Sequence, residues 1–213
     1  MKSLALSAVA LLSIVGTSSA AIINGDFESG PGIAPSTSSY SLDGSMLPPA
    51  TYNVVSFDTI HPAWVDFFDH TIGTELGHYM IVNGTDSGAG PAWSQSVSVT
   101  PGTEYSLSAW FASLFPASVA GLSMRVFPAV DRGFNPIASV DFVAPSDLAV
   151  WAEQTLAFNS GNFSSVTVEI WDINQAFSGN DYAIDDVSLT QVPAPGAAAM
   201  LGLLGVAGVR RRR

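Results

Sequence analysis

The chain has 213 residues, 18 acidic against 7 basic side chains, a formal net charge of −11 and no cysteine. Disulfide frameworks, thiol catalysis and thiolate metal sites are therefore excluded. So acidic a surface repels nucleic acid and anionic lipid, and neither is expected as a partner of the folded part.

The first twenty residues, MKSLALSAVALLSIVGTSSA, place Lys2 before a mostly apolar run from Leu4 to Gly16, followed by the small residues Ser18 and Ala20. That order of charge, apolar run and small-residue site is the layout of a secretory signal peptide, with cleavage expected after Ala20. The chain is thus expected to be exported.

Residues 21–191 form one domain of ordinary size, large enough for a sizeable core. All 18 acidic residues fall within it, opposed only by Arg125 and Arg132, so its formal charge is −16. Residues 29–50, rich in Gly, Pro and Ser, read as a long surface loop. Beyond them, seven runs alternate apolar and polar residues between turn signals: HYMIVNG, WSQSVSV, TEYSLSAWFA, LSMRVFPAV, LAVWAEQTLAF, SSVTVEIWDI and DYAIDDVSLT. With no amphipathic helical stretch among them, they predict an all-β antiparallel sandwich. Thr100-Pro101-Gly102-Thr103 and Asn159-Ser160-Gly161-Asn162 carry turn chemistry that would join antiparallel neighbours.

Parity within these runs separates a core face from an outer one. Tyr105, Leu107, Ala109 and Phe111 share one parity; Trp110 takes the other, with Ser106 and Ser108. Likewise Val166, Val168 and Ile170 alternate with Thr167, Glu169 and Trp171. Trp110 and Trp171 therefore stand on polar parities, where they either offer stacking faces to sugars or lie beneath the 29–50 loop as core. In AIDDVSL, alternation puts Asp185 on one face with Ala183, Val187 and Leu189. A carboxylate among core residues needs a partner, either a bound cation or backbone N–H groups near a strand end.

The chain closes on an uncharged stretch from Val192 to Val209, which opens with Val192-Pro193-Ala194-Pro195, and on Arg210, Arg211, Arg212 and Arg213. The uncharged stretch is just long enough to cross a thin hydrocarbon core as a helix, with the arginines held on the cytoplasmic side. This three-part tail, residues 192–213, resembles the PEP-CTERM sorting signal of exopolysaccharide-forming Gram-negative bacteria, although Ala194 stands where the common form has glutamate. The resemblance implies recognition by an exosortase-like membrane protease, delivery to the cell surface or extracellular matrix, and membrane contact through the tail alone.

Within the domain, AIINGDFESG, PAWSQSVSVTPGTEYSLSAWF and NDYAIDDVSL occur in that order. Together they resemble the start, centre and end of bacterial carbohydrate-binding modules with a galactose-binding-like jelly roll. The resemblance implies two face-to-face sheets with neighbouring terminal segments, and an exopolysaccharide as ligand. It also implies a structural calcium between those segments, held by Asp185 and Glu28 with carbonyls near Asn24 or Asp26, and with Asp186 as a weaker contributor. Oxygen donors suit calcium better than zinc. A purely structural envelope or biofilm protein is the alternative.

Catalysis is not expected. No Gly-x-Ser-x-Gly elbow is present, and among so many acids a carboxylate pair carries little information. His61, His70 and His78 lack the spacing that brings two imidazoles to one metal on a helix or strand, and read as isolated surface residues.

Overall fold

The computed structural model describes residues 21–57, 60–115, 117–130, 135–176 and 178–193; the expected signal peptide and the tail from Ala194 onward lie outside them. Ten strands form two sheets. The larger runs β1 (Ser41–Leu42), β2 (Thr51–Val55), β3 (Tyr79–Asn83), β10 (Tyr182–Gln191), β5 (Glu104–Ser113), β8 (Ala152–Asn159) in spatial order. The smaller runs β4 (Pro91–Ser98), β9 (Ser165–Asp172), β6 (Gly121–Pro128), β7 (Ala138–Val143). Every pairing is antiparallel except the short β1–β2 contact. The all-β two-sheet sandwich predicted from alternation is thus the observed architecture.

All seven alternating runs contain a strand, whereas β2 and β7 arise from the shorter segments TYNVV and ASVDFV. The two turn-rich connectors do not join sheet neighbours. Thr100–Thr103 leads from β4 in the small sheet to β5 in the large one, and Asn159–Asn162 leads from β8 back to β9. Both are arches between sheets. They support each other, because Gly102 N–H donates to the Gly161 carbonyl (2.6 Å) and Ser160 Oγ donates to the Thr100 carbonyl (2.7 Å). Turn chemistry reports a reversal of the chain without reporting which sheet it enters.

The main core lies between the sheets and includes Met80, Trp93, Tyr105, Phe111, Met124, Ile170 and Ile184. The 29–50 segment is only partly a surface loop: Ile33, Tyr40 and Met46 are buried, and Thr37 exchanges backbone hydrogen bonds with Ser94. A second apolar cluster sits on the far side of the large sheet, where Ala112, Ala183, Tyr79 and Ile81 are roofed by Met46, Trp64 and Phe67. Residues of the 60–78 connection therefore cover one end of that outer face. The other end carries Ser106, Ser108, Ser188 and Thr190.

Candidate functional site

The site lies where the apolar roof stops. Asp185 of β10, Trp110 of β5 and Glu153 of β8 are register partners across three adjacent strands, so all three stand on the outer face of the large sheet. Beside them Ser108 and Ser188 oppose each other with hydroxyls 2.9 Å apart. The next segment in space is the N-terminal one, since Val187 N–H donates to the Gly25 carbonyl at 2.9 Å. Gly25 is required there, because a Cβ would collide with the Val187 carbonyl. The terminal segments are neighbours, and an open cleft of about 450 Å³ lies between them, lined by Asn24, Asp26, Ser108, Trp110, Glu153 and Asp186 among others.

Alternation along β10 breaks at a register shift between Asp185 and Ser188. Asp186, at φ 48°, occupies the irregularity; aspartate tolerates this left-handed region better than most residues. The shift corrects the predicted grouping of Asp185 with Val187 and Leu189. Tyr182, Ile184, Val187 and Leu189 all face the main core, while Asp185 sides with Ala183 on the outer face, beneath the roof.

There Asp185 is fully buried and finds protein donors. The backbone N–H of His70 (2.7 Å) and of Thr71 (3.3 Å) donate to Oδ2, and that of Asp186 donates to Oδ1 at 2.8 Å. Burial outweighs these bonds and pushes its carboxyl up to about 8. Asp186 is held in turn by Thr71 Oγ1 (2.7 Å) and faces His70 Nδ1 at 2.6 Å. Glu28 accepts from His78 N–H at 2.7 Å, Asp26 accepts from Glu28 N–H at 3.3 Å, and Asn24 Oδ1 accepts from Ser29 N–H at 3.0 Å.

These pairings bear on the calcium expected between the terminal segments. Asp185 is turned toward residues 70 and 71, Glu28 toward His78, and among the described residues no group of three or more His, Asp or Glu is placed to hold a metal ion.

The two tryptophans are not brought together. Trp110 is partly exposed on the large sheet, and Trp171 on the outer face of the small one, so they cannot share one sugar chain as a single platform. Trp171 has Arg125 over its ring at 4.7 Å, and its Nε1–H donates to Glu169 at 2.7 Å. Trp110 has its ring covered by His70, 3.7 Å away and within 17° of parallel. The covering segment is 60–78, not 29–50. His70 is thus no isolated surface residue, and sequence reasoning missed it. The aromatic run WVDFFD just before it was the available signal for a packed segment.

No protein-family model matches the sequence, and no curated protein matches it. Among solved structures, a cyclase from Fischerella sp. TAU in complex with 4-(1H-indol-3-yl)butan-2-one superposes with a TM-score of 0.57 at 18% identity, covering 83% of this chain and 98% of that one. An apo cyclase from Fischerella sp. gives 0.57 at 13% identity, over 83% and 97%. TmCBM61, a carbohydrate-binding module in complex with beta-1,4-galactotriose, gives 0.51 at 16% identity, over 80% and 97%. These likenesses correct the expectation that the domain is not an enzyme, because cyclases are built on the same fold and a search for hydrolase motifs does not reach their chemistry. At such identities they show architecture alone, and that architecture is the jelly-roll sandwich common to cyclases and carbohydrate-binding modules.

Proposed function

We propose that the domain is an exported glycan-binding module that takes an exopolysaccharide in the Trp110 cleft. One observation carries this reading: Trp110, partly exposed beside the His70 ring, borders an open groove lined mainly by carboxylates, hydroxyls and an amide, from Glu153, Asp186, Asp26, Ser108, Ser188 and Asn24, with Ile22 and Val187 as apolar neighbours. Pyranose rings present an apolar face to an aromatic ring and hydroxyls to carboxylates, and this groove offers both kinds of partner. The likeness in fold to a module crystallised with a galactotriose supports the ligand class without naming the sugar.

Delivery to the envelope surface or matrix rests on the sequence of the two ends, with an exosortase-like protease as the transient partner of the tail. The domain leaves room for such a tail: Val192 still bonds to the Glu104 carbonyl at 2.9 Å, and both Val192 and Pro193 are exposed. The second reading, an envelope or biofilm protein without a glycan site, is favoured by the His70 ring that already covers Trp110. A glycan array probed with the wild type, Trp110→Ala and Trp171→Ala separates the two. Binding lost only with Trp110→Ala supports the module; no binding by the wild type supports the structural reading.

A further inference from the structure

A second recess, independent of the Trp110 cleft, lies at the opposite end of the roof. It measures about 210 Å³ and is lined by Leu47, Pro49, His61, Asn83, Phe115 and Asp181 among others. Four of these six present apolar or aromatic surface. Asp181 is 7% exposed. Its carboxylate accepts from Trp64 Nε1–H at 3.1 Å and from Gly84 N–H at 3.3 Å, both neutral donors at the long end of the range. Two such bonds leave acceptor capacity, since an ionised carboxylate has about four lone-pair sites.

Among the described residues no lysine or arginine offsets this charge. Arg125 is the sole lysine or arginine among the described residues, and it lies over Trp171 on the small sheet. The titratable neighbour of Asp181 is instead another carboxyl group, Asp172, which burial pushes up to about 7. His61 stacks on Trp64 at 4.8 Å, and partial burial lowers its pKa, which keeps the imidazole neutral at pH 7 and unable to act as the counter-ion. A buried anion bordered by apolar walls is stabilised by a cation that brings its own apolar body. The strong negative charge of the domain would steer such a ligand toward it.

We infer that this recess binds a small organic ammonium ion, with the charged nitrogen on Asp181 and the apolar part against Phe115 and Leu47. The inference stands on separate residues from the glycan reading and survives its failure.

The probe is 2-phenylethylammonium, titrated into the full chain while the fluorescence of Trp64, which is bonded to Asp181, is followed. Saturable binding is expected, weakened about tenfold or more in Asp181→Asn, and weakened in the wild type as pH falls below about 6, where Asp181 takes up a proton. Asp172, His61 and Tyr182 are the other titratable groups facing Asp181. Of these, His61, whose pKa burial lowers, gains positive charge on acidification and acts in the same direction. The neutral isostere 2-phenylethanol, tested on the wild type, removes dependence on the variant's folding. If the alcohol binds as well as the ammonium, or if the ammonium does not saturate, the inference is overturned.

Discussion

The imidazole of His70 lies parallel to the indole of Trp110, and the same residue's backbone N–H donates to Asp185, the register partner of Trp110. One residue of the 60–78 connection thereby joins the roof of the second cluster to the floor of the cleft. His70→Ala removes the stack and the contact with Asp186, and is expected to cost ~1–2 kcal/mol. It should also uncover Trp110. Acrylamide quenching of the variant should exceed that of the wild type, and unchanged quenching would mean that the ring is shielded by something else.

Asp185 fixes this junction through backbone donors. Asp185→Ala strands the N–H groups of His70, Thr71 and Asp186, an expected loss of ~2–4 kcal/mol. Asp185→Asn keeps one acceptor oxygen and should lose less. Because protein donors already occupy the carboxylate, adding calcium or a chelator should leave the wild-type melting midpoint unmoved. A chelator-induced drop of several degrees, absent in Asp185→Ala, would place an ion there.

Stability should rise on mild acidification. Burial raises the carboxyls of Asp185, Asp172 and Asp181 to about 8, about 7 and about 6. A carboxyl whose folded pKa exceeds its unfolded value of about 4 holds its proton more tightly in the native state, so stability is lost as pH climbs through that interval. The melting midpoint should be higher at about pH 5.5 than at about pH 8.5, by roughly 2–8 °C if these groups contribute about 1–2 kcal/mol. A midpoint that instead increases toward alkaline pH would show that they are solvated or paired.

The arginines at the end of the chain act as a membrane stop under the sorting proposal. Replacing Arg210, Arg211, Arg212 and Arg213 with serine should reduce surface retention and change the mature mass. Unchanged delivery and mass would remove the tail from the account.

The architecture was legible because burial on one sheet face imposes a period of two on the sequence, and segments such as TEYSLSAWFA carry it over enough residues to be read. Neither β2 nor β7 was: β2 has five residues with little contrast between its faces, and β7 alternates over only six residues, none of them buried. The site was less legible for a specific reason. Parity assigns a residue to a face only while register holds, and the shift between Asp185 and Ser188 reverses the assignment midway along β10. Nor does alternation disclose what covers a face: Trp110 reads as outward, which it is, yet His70 arrives over it from forty residues earlier through an irregular segment with no period at all.

The location of bound glycan tests the central claim most directly. A soluble oligosaccharide drawn from the array hits, titrated into isotope-labelled wild type, should shift the indole N–H resonance of Trp110 and the amides of Ser108, Glu153 and Asp186, and leave that of Trp171 in place. Shifts centred on Trp171 and Arg125, with Trp110 unmoved, would contradict it.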